Sequence, residues 1–85
     1  MFSAQSAAKL VKLLESDDFR VLSVLSSVIS RQKFLSRGQL VGYSMMHKDM
    51  VEYRIKRLTD FNLISDSSNG ICLLMSGLDA VAYSI

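Results

Sequence analysis

The chain has 85 residues, of which 49% are hydrophobic and 21% are charged, and this composition predicts one folded domain over residues 1–85 and excludes a disordered chain. The net charge of +2 is too small for an obligate nucleic-acid coat protein, and the single cysteine, Cys72, excludes an internal disulfide framework. No apolar run approaches the roughly 18 residues of a membrane span, and no secretory signal is apparent, so we expect a soluble, cytoplasmic protein that binds no membrane.

Two helices are predicted in the first part of the chain. Residues 3–14 are rich in alanine and have their apolar side chains on one side, which predicts an outer helix. A second helix is predicted over residues 17–30, with Ser16 as its cap and with Asp17 and Asp18 in the first turn, where the helix dipole favours negative charge. Its apolar stripe consists of Val21, Val24, Leu25, Val28 and Ile29.

A helix-turn-helix is predicted in the middle of the chain. Residues 31–34 break the helical pattern, and Ser36 can cap a short helix over residues 37–43. After a turn over residues 42–46, a second helix is predicted over residues 46–61. Its apolar stripe consists of Val51, Ile55 and Leu58, and His47 and Arg54 flank it. The opposite face carries Asp49, Tyr53, Lys56 and Asp60. This amphipathic pattern is typical of a recognition helix docked on a small core.

The last part of the chain predicts a hairpin followed by a helix. Residues 63–74 contain two short apolar runs around Asn69-Gly70, a pair that supplies positive φ angles to a tight turn. A final helix is predicted over residues 76–85, with Ser76 as its cap and Asp79 as the capping-box partner. The whole pattern predicts a mainly α (α+β) winged helix-turn-helix with five helices and a two-stranded wing.

Two local strings resemble a known family. The segment Leu-Glu-Ser-Asp-Asp-Phe-Arg-Val-Leu at residues 14–22 resembles the opening helix of the N-terminal winged-helix domain of RIO atypical protein kinases. The segment Leu-Leu-Met-Ser-Gly-Leu-Asp-Ala-Val-Ala at residues 73–82 is similar to the closing segment of that domain. The resemblance implies a module preceding a serine/threonine kinase fold, in a protein of small-ribosomal-subunit maturation whose winged helix contacts RNA or the pre-ribosome. It also implies that a longer parent carries the kinase.

The chain itself shows no catalytic motif. It has no Gly-rich phosphate loop, no His-Arg-Asp catalytic loop and no Asp-Phe-Gly sequence, so we predict that it is not an enzyme. His47 and Cys72 lack further ligands at zinc spacing, and we expect neither a metal nor a cofactor. Cys72 is expected to be a small buried residue on a strand. We expect Met45, Met46 and Met50 to fill gaps beneath the recognition helix, although they could also form an adaptable binding surface.

The basic residues around the helix-turn-helix are the candidate binding site, because both of its helices approach phosphates in known complexes. The candidate nucleic-acid contacts are Arg31, Lys33, Arg37, Lys48, Tyr53, Lys56 and Arg57. Three carboxylates on the same helix argue against this reading, and Glu52 has the i,i+4 spacing to pair simply with Lys56. The predicted wing tip, residues 66–70, has no lysine or arginine.

Three functions therefore remain open. The first is a non-catalytic module that binds RNA, a ribosomal precursor or DNA, and we expect it to be a monomer. The second is a transcription regulator that dimerises through its first and last helices, because a protein that reads a palindrome must present two recognition helices. The third is a winged helix that binds only protein, which the acidic residues of the recognition helix keep open.

Overall fold

The computed structural model describes residues 11–84, and it shows an α+β winged helix, as predicted. The helices in this range are α1 (residues 11–13), α2 (Ser16–Val28), α3 (Arg37–Ser44), α4 (Lys48–Asp60) and α5 (Met75–Ser84). The strands are β1 (Phe34–Leu35), β2 (Ile64–Ser67) and β3 (Gly70–Leu73). Residues 3–10 of the predicted first helix lie outside the described residues. No helix within residues 11–84 has the length and apolar character needed to cross a bilayer.

The sheet has three strands, so the predicted two-stranded wing was incomplete. Its order is β1-β3-β2, and both pairings are antiparallel. Phe34 and Leu35 pair with Cys72 and Ile71, although no strand was predicted there and Phe34 was assigned to the connection over residues 31–34. Two residues are too few to show the alternation by which a strand is recognised in a sequence. The additional strand, β1, places the Leu35 side chain completely in the core.

The stripe predicted on the recognition helix faces the core. Val51, Ile55 and Leu58 of α4 are at most 2% exposed, and they belong to the same buried cluster as Leu22 and Leu25 of α2. Burial of such a side chain contributes about 1.5–3 kcal/mol. The opposite face of α4 is therefore directed outward. This confirms the prediction that α4 is an amphipathic helix docked on the core by its apolar stripe.

The observed helix caps agree only in part with those predicted from the sequence. Ser36 caps α3 as predicted, since its hydroxyl accepts a hydrogen bond from the Gln39 backbone N–H at 3.1 Å. The cap of α2 is Glu15 and not Ser16, because the Asp18 carboxylate reaches back to the Glu15 N–H at 2.8 Å. Ser76 does not cap α5, which begins at Met75; its hydroxyl instead donates to the Asn62 carbonyl oxygen.

Two turns also differ from the prediction. Helix α3 continues to Ser44, and the turn to α4 is made at Met45, whose φ is 59°. In the hairpin only Gly70 has a positive φ, of 124°, whereas Asn69 was predicted to share this conformation. A Cβ atom at Gly70 would lie 2.8 Å from the Leu35 carbonyl oxygen, so this glycine also allows β1 to approach β3.

Candidate nucleic-acid interface

The outward face of α4 carries two lysines and an exposed aromatic ring. Lys48 and Lys56 are exposed and form no ion pair within residues 11–84. The Tyr53 side chain lines a cleft with Lys56 and is 55% exposed. Because Val51 and Ile55 anchor the other face of the helix, these three side chains are held away from the core and are accessible to a partner.

Arg37 connects α3, α4 and the wing. Its Nε atom lies 2.5 Å from Glu52 Oε1, and its Nη1 and Nη2 atoms donate to the two carboxylate oxygens of Asp66 at 3.1 and 2.5 Å. These contacts raise the pKa of the Arg37 guanidinium further above its ordinary value, chiefly through the hydrogen bonds to Asp66 and then to Glu52. We call this arrangement the Arg37 bridge. Glu52 is therefore paired with Arg37 and not with Lys56.

The Arg37 bridge predicts a measurable titration. The hydrogen bonds from Arg37 hold the pKa of the Asp66 carboxyl below its ordinary value. A lowered carboxyl pKa contributes stability above the pKa of the unfolded state, and this stability is lost as the pH falls through the folded-state pKa. We expect Arg37→Gln to move the Asp66 pKa upward, toward its ordinary value, as measured by the carboxyl carbon shift in an NMR titration. Lys48→Gln is the control, because Lys48 lies near Arg37 without contacting Asp66; equal shifts in both variants would contradict the assignment.

A second ion network attaches α4 to the start of α2. The completely buried Asp18 accepts from Arg54 Nη1 at 3.3 Å and from Arg57 Nε at 2.9 Å. Glu15 and Asp17 lie 2.5 and 3.6 Å from the Arg54 guanidinium. The hydrogen bond that Arg57 donates to Asp18 is the largest of the effects that raise the Arg57 pKa, and the hydrogen bond that Arg54 donates to Glu15 is the largest of those that raise the Arg54 pKa. We call these five residues the Asp18 cluster.

The Asp18 cluster changes the expected role of Arg57. This residue was predicted to contact nucleic acid, but its guanidinium donates to Asp18 and to the Leu13 carbonyl oxygen. Arg54, predicted to flank the apolar stripe, is only 7% exposed and is part of the core. The sequence offered one signal for this arrangement, which is the i,i+3 spacing of two arginines beside the stripe; the acidic partners are too distant in the chain to be identified from it.

The structure brings five of the seven candidate contact residues together along α4. Arg37 and Lys48 line one open cleft beside Glu52, and Arg37 and Lys56 line a neighbouring one. A further cleft of about 420 Å³, which we call the Tyr53 cleft, is lined by Tyr53, Lys56, Arg57, Asp60 and Phe61. Arg31 and Lys33 lie elsewhere.

The two remaining candidates face different surroundings. Arg31 lies near Tyr43 at the end of α3, and the Lys33 ammonium lies 5.6 Å from the centre of the Phe34 ring. Neither lines a cleft with the candidate residues of α4. The predicted set therefore divides into a group on α4 and two separate cations near the α2–β1 connection.

The methionines and the histidine complete the surroundings of α4. Met46 packs partly against the core as predicted, but Met45 is 88% exposed and does not fill a gap, because it occupies the left-handed position that ends α3. Met50 is also exposed. The helix predicted over residues 46–61 begins at Lys48, and His47 caps it, since its Nδ1 atom accepts from the Asp49 N–H at 3.2 Å. Within residues 11–84 no group of histidine, cysteine and acidic side chains has the arrangement of a metal site.

Comparison with known proteins identifies a family. Residues 11–84 match the family described as "Rio2, N-terminal", the N-terminal domain of a RIO kinase. This match confirms the resemblance that residues 14–22 and 73–82 carry. A comparison with curated proteins gives no match.

Proposed function

Because the chain belongs to the Rio2 N-terminal domain family, we propose that it is the non-catalytic, nucleic-acid-binding module of a RIO-type serine/threonine kinase and that it docks on RNA of a small-subunit ribosomal precursor. The observation that carries this proposal is the face of α4, where Lys48, Tyr53 and Lys56 are exposed together. Phosphate oxygens accept hydrogen bonds from lysine, and bases stack on tyrosine, so this combination suits RNA.

The ion networks support the proposal because they fix α4 on both sides. The Asp18 cluster attaches it to α2, and the Arg37 bridge attaches it to α3 and β2. A site on a rigid helix loses little conformational freedom when the partner binds, which improves affinity without further contacts. In this proposal the kinase chemistry belongs to a longer parent protein, and this domain supplies docking as a cytoplasmic monomer.

The expected affinity depends only moderately on salt. With Arg37 and Arg57 held in internal ion pairs, we expect about two to three phosphate contacts, which correspond to a slope of log K against log[salt] of roughly −2 for a single strand. A much steeper slope would require Arg37 or Arg57 to leave its carboxylate partner.

Charge reversal on α4 tests the proposal directly. We expect Lys48→Glu/Lys56→Glu to weaken binding of structured RNA by about tenfold or more at low salt and to make the salt slope shallower by about 0.7 for each lost phosphate contact. Fluorescence anisotropy with RNA and with duplex DNA at several salt concentrations measures both quantities.

The matched control is Arg31→Glu/Lys33→Glu, which changes the net charge by the same amount away from α4. If this variant loses as much affinity as Lys48→Glu/Lys56→Glu, the binding is a response to overall charge and not to the α4 face. If the unsubstituted protein binds neither RNA nor DNA at low salt, the proposed function is wrong.

A protein partner is the second candidate function, and one observation favours it. Met45, just before α4, and Met50, on α4, are exposed, and Asp49 and Glu52 of this helix also face solvent. Methionines adapt to varied apolar surfaces, and carboxylates repel a polyanion. The experiment measures binding of the domain to a ribosomal precursor particle. A protein partner would be favoured if binding persists after the RNA is removed and after charge reversal of Lys48 and Lys56, but is lost in Met45→Glu. A palindrome-reading regulator would instead be a dimer, which sedimentation equilibrium detects.

A further inference from the structure

We infer that the Tyr53 cleft receives one unpaired nucleobase, so that the ligand of the domain is a single-stranded or bulged segment and not a regular duplex. This inference rests on the proposed function, and it specifies the class of nucleic acid. The cleft is open to solvent and has a volume of about 420 Å³, within the range of sites for small ligands.

Two aromatic rings and one guanidinium held by internal hydrogen bonds are among the groups that line the cleft. Tyr53, Arg57 and Phe61 follow one another at four-residue spacing, so they lie on one side of the helix and its end. The Arg57 guanidinium carbon lies 5.2 Å from the centre of the Phe61 ring, and Asp18 and the Leu13 carbonyl hold it there. The Arg54 guanidinium carbon lies 5.1 Å from the centre of the Tyr53 ring, and the Tyr53 side chain is still 55% exposed, so a base can stack on its accessible surface.

The charges around the cleft suit a single nucleotide. Lys56 is exposed at the rim and can bind the phosphate of the stacked nucleotide. Asp60, also at the rim, would repel a phosphate but can accept a hydrogen bond from an exocyclic amine of a base. We therefore expect a base with an amino group to bind more tightly than uracil or thymine.

The other side of α4 is poorly suited to a duplex. Glu52 and Asp66 lie there, and Arg37 is paired with both carboxylates and is not free for phosphate. The tip of the wing, residues 67–70, offers no cation to a second strand. A duplex laid along α4 would bring several phosphates close to these groups, whereas an unpaired nucleotide needs only Tyr53 and Lys56.

The test uses an RNA hairpin with one 2-aminopurine in a single-nucleotide bulge, because stacking on tyrosine quenches this fluorophore. We expect Tyr53→Ala to weaken binding by roughly 5- to 150-fold, the range of base–aromatic stacking energies, and to remove the quenching. Tyr53→Phe should retain both. Tyr43→Ala is the control, since Tyr43 is also about half exposed, at 56%, but does not line the cleft. Circular dichroism verifies that each variant is folded.

Additional oligonucleotides separate the possible results. Equal binding of the bulged hairpin and a fully paired one, with Tyr53→Ala no weaker than Tyr43→Ala, would overturn the inference while the proposed function stands. No binding of any RNA or DNA would overturn both. A bulged DNA hairpin of the same sequence distinguishes the two backbones, and a bulged uracil compared with a bulged cytosine tests the role of Asp60.

Discussion

Asp18→Ala is expected to lower the free energy of unfolding by about 3 kcal/mol, the lower end of the range for breaking a buried ion pair. The variant removes the carboxylate that accepts from Arg54, from Arg57 and from the Glu15 N–H. Arg54 remains buried at 7% exposure, with only Glu15 and the more distant Asp17 to compensate its charge. A small domain has an unfolding free energy of about 5–15 kcal/mol, so this loss is a large fraction of the total.

Urea denaturation measures this loss, and Asp17→Ala is its matched control. Asp17 contacts the same guanidinium at 3.6 Å, but its side chain is 37% exposed, so we expect a loss of at most about 1 kcal/mol. If the two alanine variants unfold at the same urea concentration, the Asp18 cluster does not stabilise the attachment of α4 to α2.

Gly77→Ala is expected to destabilise the protein by about 1–3 kcal/mol or more, because α5 approaches Leu63 and Leu73 closely at this residue. A Cβ atom at Gly77 would collide with the Leu63 carbonyl oxygen and would lie 2.5 Å from Leu73 Cδ1. The backbone oxygen cannot move away by a change of rotamer, so α5 itself must shift. A loss of 1 kcal/mol lowers the melting temperature of a domain of this size by roughly 4–8 °C.

Gly42→Ala is the corresponding control for that substitution. Gly42 lies within α3, and a Cβ atom there would meet nothing within 4 Å. The higher helix propensity of alanine should therefore stabilise this variant by up to about 1 kcal/mol. A Gly77→Ala protein that melts at or above the temperature of the unsubstituted protein would contradict the tight packing of α5.

Local patterns in the sequence predict the helices well. Val51, Ile55 and Leu58 repeat at the helical period over a long segment, and all three are buried. Ser36 is a strong capping residue followed by Gln39, and both hydrogen bonds of the capping box are present. These features depend on residues within one or two turns of one another, so the sequence alone contains the information.

The features that the sequence did not predict depend on contacts between distant segments. β1 exists only because β3 lies beside it, and its two residues carry no pattern of their own. Asp18 was assigned to the dipole of its own helix, whereas its strongest partners lie on α4, 36 and 39 residues later. The same holds for Arg37 and Arg57, which looked free for phosphate until the fold brought carboxylates to them.

The position of β3 in the middle of the sheet also bears on self-association. β3 contains three buried apolar residues, Ile71, Cys72 and Leu73, and a free edge of such a strand can recruit a strand from another molecule. β1 covers one of its edges, and the other is covered by β2, a strand rich in serine that also carries Asp66. The short β1 segment thus protects the edge of β3 from aggregation. If β1 detached, the unpaired edge of β3 could form hydrogen bonds with a strand of another chain.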